Sequence, residues 1–543
     1  MSGTDNEKLP ATDPSSSSTM DPDDALLLAA GYKRTMPRRF TPLTLMSLSF
    51  TLTGTWLGTA TSLGIALTEA SSAGVLYSLV LAGVFTAILS YGMAELASAY
   101  PIAGAQYYWA FMVSDPSWAP FASYMAGWVN VVGWWMGQAA TGSLLSGMLL
   151  AIAAFNRPGY EIEPWHQYLV FVGVVWLNVA WNTLGARMIP VWNKVLMFLS
   201  LAVILASFVT LLVCSREHYP SAKWIFTDTT NSTGWPSTGF AFMLATMNGI
   251  FSYAGTDCGA HLAEEIPSPS KNVPKVIMWP ILIGFVVAWP LAVAFMASIY
   301  DLEAVLNTPT GFPLVEVLYQ GMGGSGAGAT VLMALYAVAL FGCCAANGTT
   351  NARILWAVSR DGAVPFSRVF ARIHPVFKVP VNAILLSGTV VTLYGLIFLG
   401  STTVFSSMIS ALIVFLQTSC AIPQAILLVR GRSQVLPPRY FRIPEPWGYL
   451  TNAVAVAWVV FTDGLACIPV SYPVTLENMN WISVVTVAVV GFILMLWVFD
   501  KRMTFRGPKV DFELMRIRRE EALGLVDRRV GLEEGRFGGE KQS

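Results

Sequence analysis

Apolar residues run through this chain in long stretches separated by short polar ones. Twelve stretches have about the 20-residue length that a helix needs to cross a bilayer. They are 42–67, 73–97, 119–152, 166–184, 190–214, 239–263, 276–299, 328–357, 380–399, 402–429, 449–470 and 480–499. The stretch at 119–152 is long enough to cross at a tilt. Most read as smooth apolar helices, but the first and sixth do not. The first contains residues 51–64 (TLTGTWLGTATSLG), and the sixth runs into residues 251–265 (FSYAGTDCGAHLAEE). Both place Gly, Thr and Ser at mid-membrane depth. Each opens a block of five spans, 41–214 and 239–430, separated by a loop at 215–238. An odd number of spans per block makes the two blocks opposite in topology. Two further spans follow in 431–500, and polar tails cover 1–40 and 501–543.

A broken helix in hydrocarbon leaves backbone N–H and C=O groups that something must satisfy. Breaks at matching positions of two halves point to the binding site of a secondary transporter. There the N-terminus of a half-helix offers partial positive charge to an anion, and the C-terminus offers carbonyls to a cation. The competing reading is that these small residues only let helices pack closely.

Composition agrees with a polytopic membrane protein. Of 543 residues, 55% are hydrophobic and 12% charged, with a mean hydropathy of +0.57. Soluble proteins carry roughly 25% charged residues. The net charge is zero, which gives no argument for a nucleic-acid partner. Six cysteines (Cys214, Cys258, Cys343, Cys344, Cys420 and Cys467) lie in or at the ends of apolar runs. They form neither a secreted disulfide framework nor a zinc spacing, and are expected to be buried, inert thiols.

Charge bias orients the spans. With the N-terminus cytoplasmic and all twelve segments crossing, 29 of the 32 Lys and Arg fall inside. Only Arg157, Arg216 and Lys223 fall outside, as the positive-inside rule requires. Both termini are therefore expected in the cytoplasm, with the plasma membrane as the default location. Residues 1–40 have no signal-peptide core and are expected to be a disordered tail. The glycosylation pattern Asn231-Ser232-Thr233 falls in the loop that this count places outside.

Four motifs then resemble one family. Residues 94–109 (AELASAYPIAGAQYYW) are similar to the signature after the second span of the amino-acid–polyamine–organocation superfamily. Residues 127–134 (GWVNVVGW), 261–265 (HLAEE) with Asn272-Val273-Pro274, and 359–366 (SRDGAVPF) resemble its fungal amino acid and choline permeases. The resemblance covers about 40–500. The chain departs in having Gly104-Ala105 where the family usually has a Gly-Gly pair, and Ala352-Arg353 in place of Ser-Arg.

The resemblance implies an all-α, leucine-transporter-like fold. Twelve transmembrane helices are expected, as a five-plus-five inverted repeat with two extra helices. It implies an amino acid, amine or choline substrate moved by alternating access, and a binding region at the broken part of the first span. That region includes Gly58, and Thr59, Ala60, Thr61 and Ser62 are expected to offer backbone groups to a substrate carboxylate or its equivalent. In the sixth span the matching residues are Phe251, Ser252, Tyr253, Ala254 and Gly255. Asp257 matches an acidic position associated in relatives with gating or proton coupling.

Asp257, His261 and Glu264 lie at i, i+4 and i+7, on one face of a helix resuming near Gly255. An intramembrane acid is functional by default. Asp257 is therefore expected to bind a proton, a substrate amine, or only the broken backbone, with His261 tuning it or simply packed. Glu264 and Glu265 read as a solvated helix end near Lys271 and Lys275. Trp134, with its span-three neighbours Trp128 and Trp135, is a candidate for an aromatic box. Such a box would hold a quaternary ammonium by cation–π attraction. An amino acid would instead use the break in the first span, so the residues do not choose between these substrates.

Residues 321–326 (GMGGSG) fit a glycine-rich phosphate loop by letters alone, with no strand before them, and read as a linker. Four scattered histidines supply no metal site and no nucleophile–base pair, so neither an enzyme nor a cofactor is expected. The expected partners are a small-molecule substrate, protons and the lipid bilayer. A nutrient-sensing receptor without flux is the rival function.

Overall fold

A computed structural model describes residues 21–400, 404–475 and 478–522. Among these the chain is all-helical, with no strand. It divides into two compact units. The larger is Met36–Gly507, and the smaller joins the N-terminal segment up to Thr35 with the C-terminal segment from Pro508.

Among the described residues of the larger unit, ten helices are long and apolar enough to cross a membrane. They correspond to the second to fifth and seventh to twelfth expected spans, from Leu63–Ala99 to Ile482–Thr504. The first and sixth expected spans are instead built from short pieces, Pro42–Thr53 with Thr55–Thr61, and Thr238–Ser252 with Cys258–His261. Local sequence explains the entry into the first. Thr41 caps it reciprocally with Thr44, and Pro42 occupies its first turn, where a missing N–H does no harm. The Leu63–Ala99 helix also carries a kink, because Ala70 and Ser71 leave helical geometry and Ser71 takes φ 48°. Residues before the kink complete the first span, and those after it form the second.

The broken pieces pack against continuous helices. Thr238–Ser252 packs along Leu63–Ala99, and Ala119–Asn156 packs against Gly326–Arg360 and Val404–Arg430. The Ala119–Asn156 helix is buried along most of its length, whereas Ile482–Leu496 buries only Ile482 and Ile493. The last span is thus peripheral, with an apolar surface suited to lipid.

Three expectations need correction. The tail expected to be disordered over 1–40 contains the helix Pro22–Ala29, started by Asp21 and Pro22. In the smaller unit this helix packs against Phe512–Ala522, and Asp511 N donates to Ala29 O at 3.0 Å. Residues 1–20 and 523–543 lie outside the described residues. The loop at 215–238 contains a short helix, Ala222–Thr227. Of the six cysteines, Cys214 and Cys467 are exposed at helix ends and the other four are buried.

Candidate substrate-binding site

The two breaks have different causes. In the first span, Gly54 adopts φ 46°, ψ 41° and ends the helix. Glycine takes this left-handed geometry without the Cβ clash that opposes it elsewhere. The chain resumes at once as Thr55–Thr61, with Ser62 as its C-cap. Gly54 is itself fully bonded, its N–H to Phe50 O and its carbonyl to Leu57 N and Gly58 N at 2.8 and 2.9 Å. A second interruption follows at Ser62, where the helix that contains Thr59, Ala60 and Thr61 ends. In the sixth span the helix stops at Ser252, as expected. Tyr253 N and Ala254 N fold back onto Ile250 O and Phe251 O at 3.1 and 3.0 Å, and Gly255 turns the chain at φ 81°. The resumed helix is a single turn, Cys258–His261, followed by a 3-10 turn at Ala263–Glu265. Pro267 and Pro269 lie just beyond and prevent a longer one.

The two broken helices touch at Gly58 and Ser252. A Cβ at Gly58 would lie 2.7 Å from Ser252 Cα, so only glycine fits there. Beside this contact, Thr59 Oγ1 and Ser252 Oγ are 3.3 Å apart. Each hydroxyl also donates to its own helix, to Thr55 O and Asn248 O, both at 2.9 Å.

Between the breaks lies a cavity of about 40 Å³, enough for a few waters. Gly54, Gly58 and Thr61 wall it from the first span, and Phe251, Ala254 and Gly255 from the sixth. Trp134, Thr141, Asn347 and Leu416 complete it from the other helices. No charged side chain among the described residues lines it. Trp134 Nε1 and Asn347 Oδ1 are buried with no hydrogen-bond partner among the described residues. The start of one helix, at Thr55, and the end of another, at Ser252, both lie beside the cavity, although Leu57 N and Gly58 N are bonded to Gly54 O, and Ile250 O and Phe251 O accept from Tyr253 N and Ala254 N. The cavity thus combines an aromatic wall, free amide and indole groups, and two helix ends of opposite polarity.

Thr61 and Leu144 also line a vestibule of about 980 Å³, walled by residues 159–164 and 306–313. At the opposite end the bundle is closed by buried ion pairs. Glu264 accepts two hydrogen bonds from Arg360, both at 3.0 Å, and Glu265 accepts one from Arg353 at 3.0 Å. Both glutamates are buried. They are not a solvated helix end near Lys271 and Lys275, because the Gly326–Arg360 helix brings its two arginines to them. Glu265 O also accepts from Phe40 N at 3.2 Å, and Arg39 donates to Ala186 O and Phe377 O. This end therefore ties together the start of the first span, the end of the sixth, and two connecting loops.

Asp257 lies one layer behind the cavity. It borders a separate hollow of about 30 Å³ with Tyr253 and Cys420. Its Oδ2 accepts from Gln106 Nε2 at 2.6 Å and Asn130 Nδ2 at 3.3 Å, and lies 3.1 Å from His261 Nε2. The other ring nitrogen of His261 faces Ala103 O at 3.2 Å. Asp257 and His261 do share a face, as their spacing predicts, but Glu264 turns away to Arg360.

Of the residues expected at the site, Gly58, Thr61, Phe251, Ala254, Gly255 and Trp134 meet at the cavity. Thr59, Ala60, Ser62, Ser252, Tyr253, Asp257 and His261 surround it without lining it. Sequence reasoning missed Thr141 and Asn347, and also Gln106 and Asn130 as the donors to Asp257. The polar run Asn347-Gly348-Thr349-Thr350-Asn351 inside an apolar span was the available signal for Asn347.

Comparison with known proteins follows this geometry. Over 487 residues the chain is 30% identical to the choline transporter of Saccharomyces cerevisiae, covering 90% of this chain and 86% of that protein. It is 30% identical over 502 residues to amino-acid permease BAT1 of Arabidopsis thaliana, covering 90% and 96%. It is also 30% identical over 501 residues to amino-acid permease 2 of Neurospora crassa, covering 92% and 91%. In fold it is similar to a manganese transporter of Eremococcus coleocola, with a TM-score of 0.51 at 15% identity over 87% of this chain and 94% of that one. The amino acid permease family model matches residues 40–490, and with these relatives it shows that this multi-pass membrane protein belongs to the amino acid permease family.

Proposed function

We propose that this permease carries a small organic molecule with an ammonium group through the cavity between its two broken helices. The carrying observation is the cavity itself, which presents Trp134 and Phe251 and no charged side chain. An ammonium is attracted to aromatic faces and to the carbonyls that end the Thr238–Ser252 helix. This chemistry fits choline or a related quaternary ammonium, the substrate class named for the yeast relative. An amino acid is the second reading. The relatives named amino-acid permeases support it.

The vestibule and the opposite ion-paired end support alternating access, with the vestibule side open and the other side closed. The distribution of Lys and Arg supports twelve spans with both termini in the cytoplasm and the vestibule facing outside. The plasma membrane and proton-coupled import complete the proposal. Asp257 reads best as a brace, because three donors converge on one of its oxygens. Uptake of labelled choline into cells, in competition with amino acids, γ-aminobutyrate and polyamines, tests the substrate class. Competition by choline analogues above all others is expected. Competition by amino acids alone selects the second reading, and saturable binding without accumulation selects a receptor.

A further inference from the structure

We propose that Glu69 is the proton-binding carboxyl of this permease, loaded from the vestibule. The proposal rests on the reading of the chain as a proton-coupled permease and supplies a residue for the coupling. Glu69 sits just before the kink at Ala70 and Ser71, where the first span passes into the second, and is 2% exposed. Its Oε2 accepts one hydrogen bond, from Asn248 Nδ2 at 2.8 Å. It borders a hollow of about 40 Å³ with Asn248, Ser410 and Asn480. Ile65, Val470 and Asn480 line both this hollow and the vestibule, so the carboxyl lies one side chain from the vestibule wall.

Among the described residues no other charged or titratable group lines the hollow. Asp463, Lys223, Glu303, Glu316, Lys271, Lys275 and Arg430 lie on helices packed against the Leu63–Ala99 helix, and none of them borders it. Asp463 is instead held by Thr418 Oγ1 at 2.6 Å. Glu69 thus has no cation to hold its charge, in contrast to Glu95, Glu264 and Glu265, each paired with arginine. A buried carboxylate with no cation beside it is the group most readily neutralised by a proton. The step is simple. A proton enters from vestibule water, the carboxylate becomes a neutral acid, and the proton leaves again on the other side of the cycle.

The change reaches the substrate cavity through hydrogen bonds. Asn248 lies one turn before the sixth-span break, and Asn248 O accepts from Ser252 Oγ at 2.9 Å. Ser252 Oγ in turn meets Thr59 Oγ1 at 3.3 Å. A charged acceptor holds its donor more strongly than a neutral one. The protonation state of Glu69 therefore biases how tightly the kink grips the helix that ends at the cavity.

Infrared spectroscopy of the purified full-length protein across pH tests this without any substrate. In difference spectra against the parent protein, the Glu69 carboxylic-acid band that appears as pH falls is expected to be missing from Glu69→Gln and to remain in Asp257→Asn. Asn248→Ala, which leaves the carboxyl in place, is expected to shift the band without removing it. A band that persists in Glu69→Gln overturns the proposal, as does a band unmoved by Asn248→Ala. In proteoliposomes, accumulation driven by an inside-alkaline gradient is expected to fall at least tenfold in Glu69→Gln. Undiminished accumulation overturns the proposal as well. Substrate counterflow in the parent protein separately checks the permease reading, because its loss there is a failure of that reading and leaves the infrared result standing.

Discussion

Gly58 and Ser252 bring the two broken helices into backbone contact, so close that a Cβ on Gly58 would lie 2.7 Å from Ser252 Cα. The cavity is bounded by this contact, and both breaks open onto it.

Gly58→Leu should separate the two helices and distort the cavity. Overpacking a close contact typically costs about 1–3 kcal/mol. The variant is expected to reach the membrane but to lose substrate uptake by at least about tenfold. Uptake rates normalised to surface protein check this, and Gly58→Ala should fall between the two.

Trp134→Ala removes the largest aromatic face of the cavity. Cation–π attraction is worth about 0.5 kcal/mol at an exposed site to about 2 kcal/mol at a desolvated one, so the KM for an ammonium substrate should rise about 2- to 30-fold. Trp134→Phe should recover part of this loss. Concentration-dependent uptake of choline in the three proteins is the measurement. An effect on maximal rate alone would place Trp134 outside the substrate contact.

The ion pair of Glu265 with Arg353 should behave as a buried lock. Removing one partner strands a buried charge, at about 3–5 kcal/mol. Glu265→Gln is therefore expected to lower the thermal midpoint of the purified protein sharply. The exchanged pair Glu265→Arg with Arg353→Glu should restore part of the loss. Differential scanning fluorimetry of the single and double variants separates an ion pair from two unrelated contacts.

Asp257→Asn should weaken the hold of the sixth-span break on Gln106, Asn130 and His261. Reduced uptake with an unchanged pH profile is expected, because Asp257 acts here as a brace. A flattened pH profile would return it to the coupling role suggested by its position in the sequence.

The spans were legible because hydropathy reports directly on the thickness of hydrocarbon that a helix must cross. Ten of the twelve expected stretches are continuous helices, and the two set apart by their glycines are the broken ones. The Ser252–Gly255 break was legible for the same reason. The sequence places the first break within residues 51–64 but not at Gly54 in particular, because three glycines occur within residues 54–64, and only the fold shows which takes positive φ. Glu264 and Glu265 were misread because their arginine partners lie about ninety residues away. Hydropathy carries no information about such pairings. The departure from Gly-Gly at Gly104-Ala105 has a structural consequence, since Ala105 adopts φ 45°, a region that favours glycine. Glu69 stood out too little in a run of small polar residues, and only its burial beside Asn248 distinguishes it.

The central claim is that substrate passes between the two breaks, and reconstituted uptake tests it most directly. Purified protein in proteoliposomes should accumulate labelled choline saturably under an inside-alkaline gradient, with accumulation lost in Gly58→Leu and its KM raised in Trp134→Ala. Saturable binding without accumulation, or accumulation unaffected by both substitutions, would contradict the account.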